Sequence, residues 1–211
     1  MAKTDRIFAL PIPKRPKLDD DTRAYLALCV EKLGFVPNVL KAYTLRPRKL
    51  VNFIRTYNEL MLGDSGLSKL EREMIAVVVS CVNHCYYCLV AHGWAVRRLS
   101  GDPELGEKLT RNYRSAALSR RHRAMLDFAW KLTETPDSMG EPDRAALRKA
   151  GFSHEDIFDI ADVVGFFNAS NRMASALDMM PNPEYHRMDR QAAAHGRRSS
   201  ATSSTRGDHR N

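Results

Sequence analysis

The chain has 211 residues, 44% of them hydrophobic and 27% charged, a balance that suits one ordinary globular domain and excludes a fibrous or wholly disordered chain. No run approaches eighteen apolar residues, and the N-terminus carries only a short apolar patch broken by prolines, so neither a bilayer span nor a secretion signal is expected. Four cysteines do not make a disulfide framework, so a cytoplasmic protein with thiols reduced unless they cycle is expected.

The formal charge of +8 is unevenly spread. Residues 186–211 hold six arginines against Asp189 and Asp208, half of the surplus. Their Ser, Thr, Gly and Arg content cannot bury a core, so they read as a basic, disordered tail behind a single domain at 1–185, itself preceded by an arm at about 1–18. A charge concentrated in a solvated tail makes nucleic acid an unlikely partner.

In chain order the segments are helical. "DDDTRAYLALCVEKLG" opens on acidic residues that suit a helix N-terminus and ends on Gly34. "PNVLKAYTL" follows, then "PRKLVNFIRTYNELML", with Pro47 in its first turn and a stripe of Leu50, Phe53, Ile54, Tyr57, Leu60 and Met61. "GDSG" breaks the pattern, and Ser68 with Glu71 forms a capping box for "KLEREMIAVVVSC". Asn83 is placed as N-cap of "HCYYCLVAHGWAVRRL". A short amphipathic piece to about Tyr113 follows, then "SRRHRAMLDFAWKLTET" and "EPDRAALRKAG". The last helix is "SHEDIFDIADVVGFFNASNRMASALDMM", capped by Ser153 and Asp156. "AVVVS" is strand-like alone but lies inside a capped helical run. "LSKLEREMIAVV" and "LSRRHRAMLDFA" start alike, as two helices do, rather than as a clear repeat. The expected fold class is all-α, a multi-helix bundle.

The stretch "NHCYYCLVAHG" carries the chemistry. On a helix Cys85, Cys88 and His92 fall within about 60° of one another. Cys85 lies near a helix start, where free amides and the dipole favour an anion, and an imidazole beside it promotes loss of the thiol proton. If the two helices pair about Val82–Asn83, Glu73 and His92 come level, and a carboxylate can orient the histidine and help pass a proton.

Several readings compete. Cys81, Cys85, Cys88 and His92 count as four zinc ligands, but eleven helical residues span about 16 Å, too far for bonds of about 2.0–2.3 Å to one ion unless the helix breaks. No metal and no cofactor are therefore expected. Attached haem needs a histidine directly after the second cysteine, where Leu89 stands. Two buried cysteines with a satisfied histidine remain the plain alternative. Cys29, Cys81 and Trp94 read as core, His122 and His154 as solvated, and Ser80 as no nucleophile for want of a base.

"EREMIAVVVSCVNHCYYCLVAHG" resembles the core motif of the alkylhydroperoxidase D-like proteins of the carboxymuconolactone decarboxylase superfamily. The match is a glutamate twelve residues before the first cysteine, Cys-x-x-Cys, and a histidine four beyond the second. "LGFVPNVLKAYTLRPRKLVNFIRTYNELM" and "DVVGFFNASNRMASAL" are similar to the branch called peroxidase-related enzymes. The resemblance implies an all-helical trimer or hexamer and thiol-dependent reduction of a hydroperoxide to an alcohol. By position it makes Cys88 the attacking thiolate activated by His92, Cys85 the resolving cysteine, and Glu73 part of the proton relay. An external thiol or dithiol reductant would reopen the disulfide. Tyr87 stands where the best-known members have a relay histidine, and a phenol with a pKa near 10 is a poor proton acceptor, so Tyr87 is either a possible relay group or packing. The same superfamily implies one alternative, a decarboxylase-like acid–base enzyme, and the dithiol/disulfide switch itself allows another, a non-catalytic redox-responsive binding protein.

Overall fold

The computed structural model describes residues 6–190, and among these are nine α-helices, three short 3₁₀ turns and no strand. The helices are α1 (Asp20–Leu33), α2 (Asn38–Tyr43), α3 (Pro47–Leu62), α4 (Lys69–Val82), α5 (Tyr86–Ser100), α6 (Leu105–Asn112), α7 (Arg120–Glu134), α8 (Glu141–Lys149) and α9 (His154–Ala176).

Helix α4 is the centre. Every residue from Glu71 to Ser80 is buried, because α5, α6, α7 and α9 pack around it. A helix apolar on all sides requires such surroundings, which explains how the strand-like valine run stays helical. Its start is set by the expected box: the Ser68 hydroxyl accepts from the Glu71 amide at 3.1 Å, and the Glu71 carboxylate accepts from the Ser68 amide at 2.8 Å. Met74, Met125, Leu126, Leu109 and Ile160 fill the main core around it.

Charges buried on this helix are each partnered, as their desolvation demands. The Arg72 guanidinium donates to the carbonyls of Leu60, Gly63 and Leu67, which closes the "GDSG" turn between α3 and α4. Glu71 accepts from Arg121 Nε at 2.8 Å and so ties α4 to α7. Where α5 meets α6, a Cβ on Gly106 would lie 2.5 Å from the Gly93 carbonyl oxygen, so this close approach requires glycine.

The α4–α5 junction departs from the sequence expectation. Asn83 is the C-cap of α4, not the N-cap of α5, and α5 starts only at Tyr86 with Cys85 as its N-cap. His84 takes φ 51°, its amide donates to Cys81 O, and the Cys85 amide donates to Ser80 O. This is a Schellman turn with histidine where glycine is usual. The turn separates Cys81 from Cys85, so no continuous helix runs through all four cysteine and histidine positions.

Both ends of the described segment pack on the helices. Phe8 of the arm is buried, and the Ala9 and Met180 amides donate to the Leu177 and Ile7 carbonyls, each at 2.8 Å. Residues 186–190, counted with the tail on sequence, pack on α5: Arg97 Nη2 donates to Met188 O, and Trp94 Nε1 donates to Asp189 Oδ2 at 2.7 Å. The rest of the expected tail, 191–211, lies outside the described residues. Among the described residues no helix is long and apolar enough to cross a membrane.

Candidate active site

Helices α4 and α5 are the most extensively packed pair, and their antiparallel run brings Glu73 level with His92. His92 Nδ1 lies 2.6 Å from Glu73 Oε2. Because an ionised carboxylate only accepts, Nδ1 carries the proton and the imidazole presents Nε2 outward. The edge of the ring stands against Phe167 of α9, with centroids 4.7 Å apart, which fixes its plane.

Cys85 and Cys88 are both buried and unbridged. Each thiol shifts the other's pKa, and the two environments differ. Cys85 makes no formal side-chain cap, yet its pKa is lowered to about 6. The Cys88 thiol is the main cause; the Cys88 amide, the Ser175 hydroxyl and the His92 charge add to it, against the cost of burial. Cys88 moves the other way, pushed well above the usual thiol range first by its hydrogen bond to Cys85 and then by burial. A negative charge on the pair therefore favours the N-cap sulfur of Cys85 over Cys88.

Behind Cys88 lies a polar chain that the sequence did not reveal. Asn171 of α9 donates to Ser80 Oγ at 3.0 Å and accepts from Asn83 Nδ2 at 3.0 Å, while Ser80 donates to the Ala76 carbonyl. Asn171 and Ser80 also temper the rise of the Cys88 pKa. Ser80 is thus a support for the thiol. Asparagine is a poor helix-interior residue, and "FFNASNR" inside an apolar helix was the available signal.

Two openings reach the dithiol. A cavity of 310 Å³ is lined by Cys88, His92, Glu73 and Tyr87, with aromatic walls that include Phe53 and Tyr57. Burial drives the phenols of Tyr57 and Tyr87 well above their usual range, so these walls stay neutral. The Tyr87 oxygen accepts from the Val39 amide at 3.1 Å, which anchors the start of α2 to the site. Cys85 instead faces a smaller cavity of 140 Å³, lined by His84, Ser175, Asp178 and Met179 among others.

The remaining singled-out residues fall as follows. Trp94 is buried in the core as expected and also borders the larger cavity, whereas Cys29 is half-buried on that cavity's wall, where burial raises its thiol. Cys81 donates to Thr110 O at 3.2 Å, away from the dithiol. His122 is half-buried near Glu71, at 3.8 Å, whereas His154 is exposed at the start of α9. Among the described residues no group of three or more His, Cys, Asp and Glu is arranged to hold a metal ion.

Comparison with known proteins identifies relatives of the fold. The model of the carboxymuconolactone decarboxylase family matches residues 48–129, which span α3 to α7. An uncharacterized peroxidase-related protein from Silicibacter sp. TM1040 is 58% identical with a TM-score of 0.86, over 90% of this chain and 100% of that one. An uncharacterized peroxidase-related protein from Ralstonia eutropha JMP134, described as an alkylhydroperoxidase AhpD core, is 42% identical with a TM-score of 0.85, over 89% and 98%. The debrominase Bmp8 shares the fold at 17% identity, with a TM-score of 0.70 over 88% of this chain and 96% of that one. A comparison with curated proteins found no match. The chain belongs to the carboxymuconolactone decarboxylase family, among its alkylhydroperoxidase AhpD-like, peroxidase-related members.

Proposed function

We propose that this protein reduces hydroperoxides through a Cys85–Cys88 dithiol/disulfide cycle. The observation that carries the reading is the pair itself: two buried, unbridged cysteines, of which Cys88 opens on an apolar cavity with His92 and Glu73 in its wall. The neutral aromatic lining suits a hydroperoxide with an apolar body. Family membership supports a peroxidase-related role in general terms.

Cys88 faces the larger cavity, so Cys88 makes the attack. Passing the Cys88 proton to Cys85 moves the charge onto Cys88. Its thiolate attacks the terminal peroxide oxygen, the O–O bond breaks, and sulfenic acid forms as the alkoxide leaves. The alkoxide takes a proton from His92, which takes that proton up from solvent at Nε2 while Glu73 holds Nδ1–H. Cys85 then attacks the sulfenic sulfur, water departs and the disulfide closes. An external thiol or dithiol reductant reopens it by exchange at Cys85, through the smaller opening. Tyr87 anchors α2 and is given no proton-transfer role. The cycle draws on no metal, haem or flavin. It belongs in the reducing cytoplasm, and we extend to this chain the trimer or hexamer that the resemblance implies.

Two other readings receive less support. A decarboxylase-like enzyme would work by acid–base groups alone, but the single carboxylate lining the cavity, Glu73, is committed to His92. A redox-responsive binding protein would not need the cavity. The test is consumption of an alkyl hydroperoxide with a chemical dithiol by wild type, Cys85→Ser and Cys88→Ser. The proposal expects turnover in wild type alone; equal turnover in Cys88→Ser would reject it.

A further inference from the structure

We propose that the cavity between α5 and α6 is a binding site for a small phosphate-type oxyanion, distinct from the dithiol and independent of the peroxidase reading. At 310 Å³ it is as large as the cavity at Cys88, but it lies on the other face of α5. Its wall presents the three guanidiniums of Arg97, Arg111 and Arg190, with Glu107 as its one carboxylate. Glu107 is already engaged by Arg190. Arg111 enters no ion pair among the described residues.

Arg97 is the strongest pointer. It is only 5% exposed, yet no carboxylate pairs with it. One terminal nitrogen donates to the carbonyls of Tyr185 and Met188, at 2.9 and 3.3 Å, while Nε has no partner among the described residues. The other terminal nitrogen lies 4.0 Å from the Cβ position that Gly93 leaves empty. Burial and then the charge of Arg190 push the Arg97 pKa down, and the charges of Glu107 and Asp189 offset this only in part. A buried cation without a full set of acceptors is costly, and a guanidinium is shaped to take an oxyanion through two parallel hydrogen bonds. The cavity exceeds the size of a bare phosphate, and Leu89 and Val90 give it apolar wall for a small organic body.

The full chain would be titrated by calorimetry with inorganic phosphate and with phenyl phosphate, at an ionic strength fixed with chloride. Thermal unfolding would be followed in parallel, because a ligand that binds only the folded state raises its midpoint. Arg111→Gln combined with Arg190→Gln removes two exposed cations with little effect on packing. Gly93→Ala fills the cavity next to Arg97, and its Cβ meets Thr110 at an ordinary 3.5 Å. The proposal expects saturable binding to wild type, weakened roughly tenfold or more in each variant. Tighter binding of phenyl phosphate would assign the site to organic phosphates; tighter binding of the inorganic ion would assign it to free phosphate. Absence of saturable binding to wild type, or equal binding to the variants, would overturn it.

Discussion

His92 Nδ1 and Glu73 Oε2 lie 2.6 Å apart between side chains only 12% and 10% exposed, at the wall of the cavity that holds Cys88. The carboxylate decides which ring nitrogen carries the proton. A Glu73→Gln variant keeps the shape but can present an amide N–H to Nδ1, which would move the ring proton to Nε2 and remove the carboxylate that lets the ring take up a second one. Hydroperoxide turnover is expected to fall on the order of 10²-fold with the unfolding midpoint little changed. Steady-state rates and thermal unfolding of the same preparation check this.

The dithiol should titrate as a pair with an early first step. Cys85 is lowered to about 6, so thiolate absorbance in the ultraviolet should appear around pH 6 and plateau through neutrality. Below that pH the pair is neutral, and thiolate-dependent alkylation should slow about tenfold per pH unit. Replacing Cys88 with alanine removes the main cause of the shift and should carry the inflection upward. A first thiolate appearing only at the pH of an ordinary cysteine would refute the assignment.

Asn171 is fully buried and joins Ser80, Asn83 and Cys88. Asn171→Ala leaves the Asn83 amide short of one of its two acceptors and takes a donor from Ser80. A loss of about 1–3 kcal/mol in urea unfolding is expected. Removing a group that lowers the Cys88 pKa should also slow alkylation of that thiol, a change that a packing defect elsewhere would not cause.

His84 adopts a left-handed backbone, with φ 51°, on an exposed turn. Glycine carries no Cβ penalty there, so His84→Gly is expected to stabilise the fold by about 1 kcal/mol. The equilibrium unfolding midpoint reads this directly.

Much of this fold was legible in the sequence because its helices announce their starts. Ser68–Glu71 and Ser153–Asp156 form the boxes that their spacing suggests. The approach of Glu73 to His92 follows from counting equal distances on either side of one turn. The turn itself was misread, since histidine stands where a glycine would have marked the end of α4, and Asn83 then resembled a start. Asn171 meets Ser80 across 91 residues, a relation that local pattern does not encode. Cys29 occupies an apolar position of its helix, and nothing local distinguishes a cavity wall from a filled core.

The most direct test of the account is to treat the reduced protein with one equivalent of an alkyl hydroperoxide, without reductant, and map the thiols by mass spectrometry. The account predicts one alcohol formed per Cys85–Cys88 disulfide in wild type, and a trapped sulfenic acid on Cys88 in Cys85→Ser. Both cysteines remaining reduced while the hydroperoxide persists would contradict it.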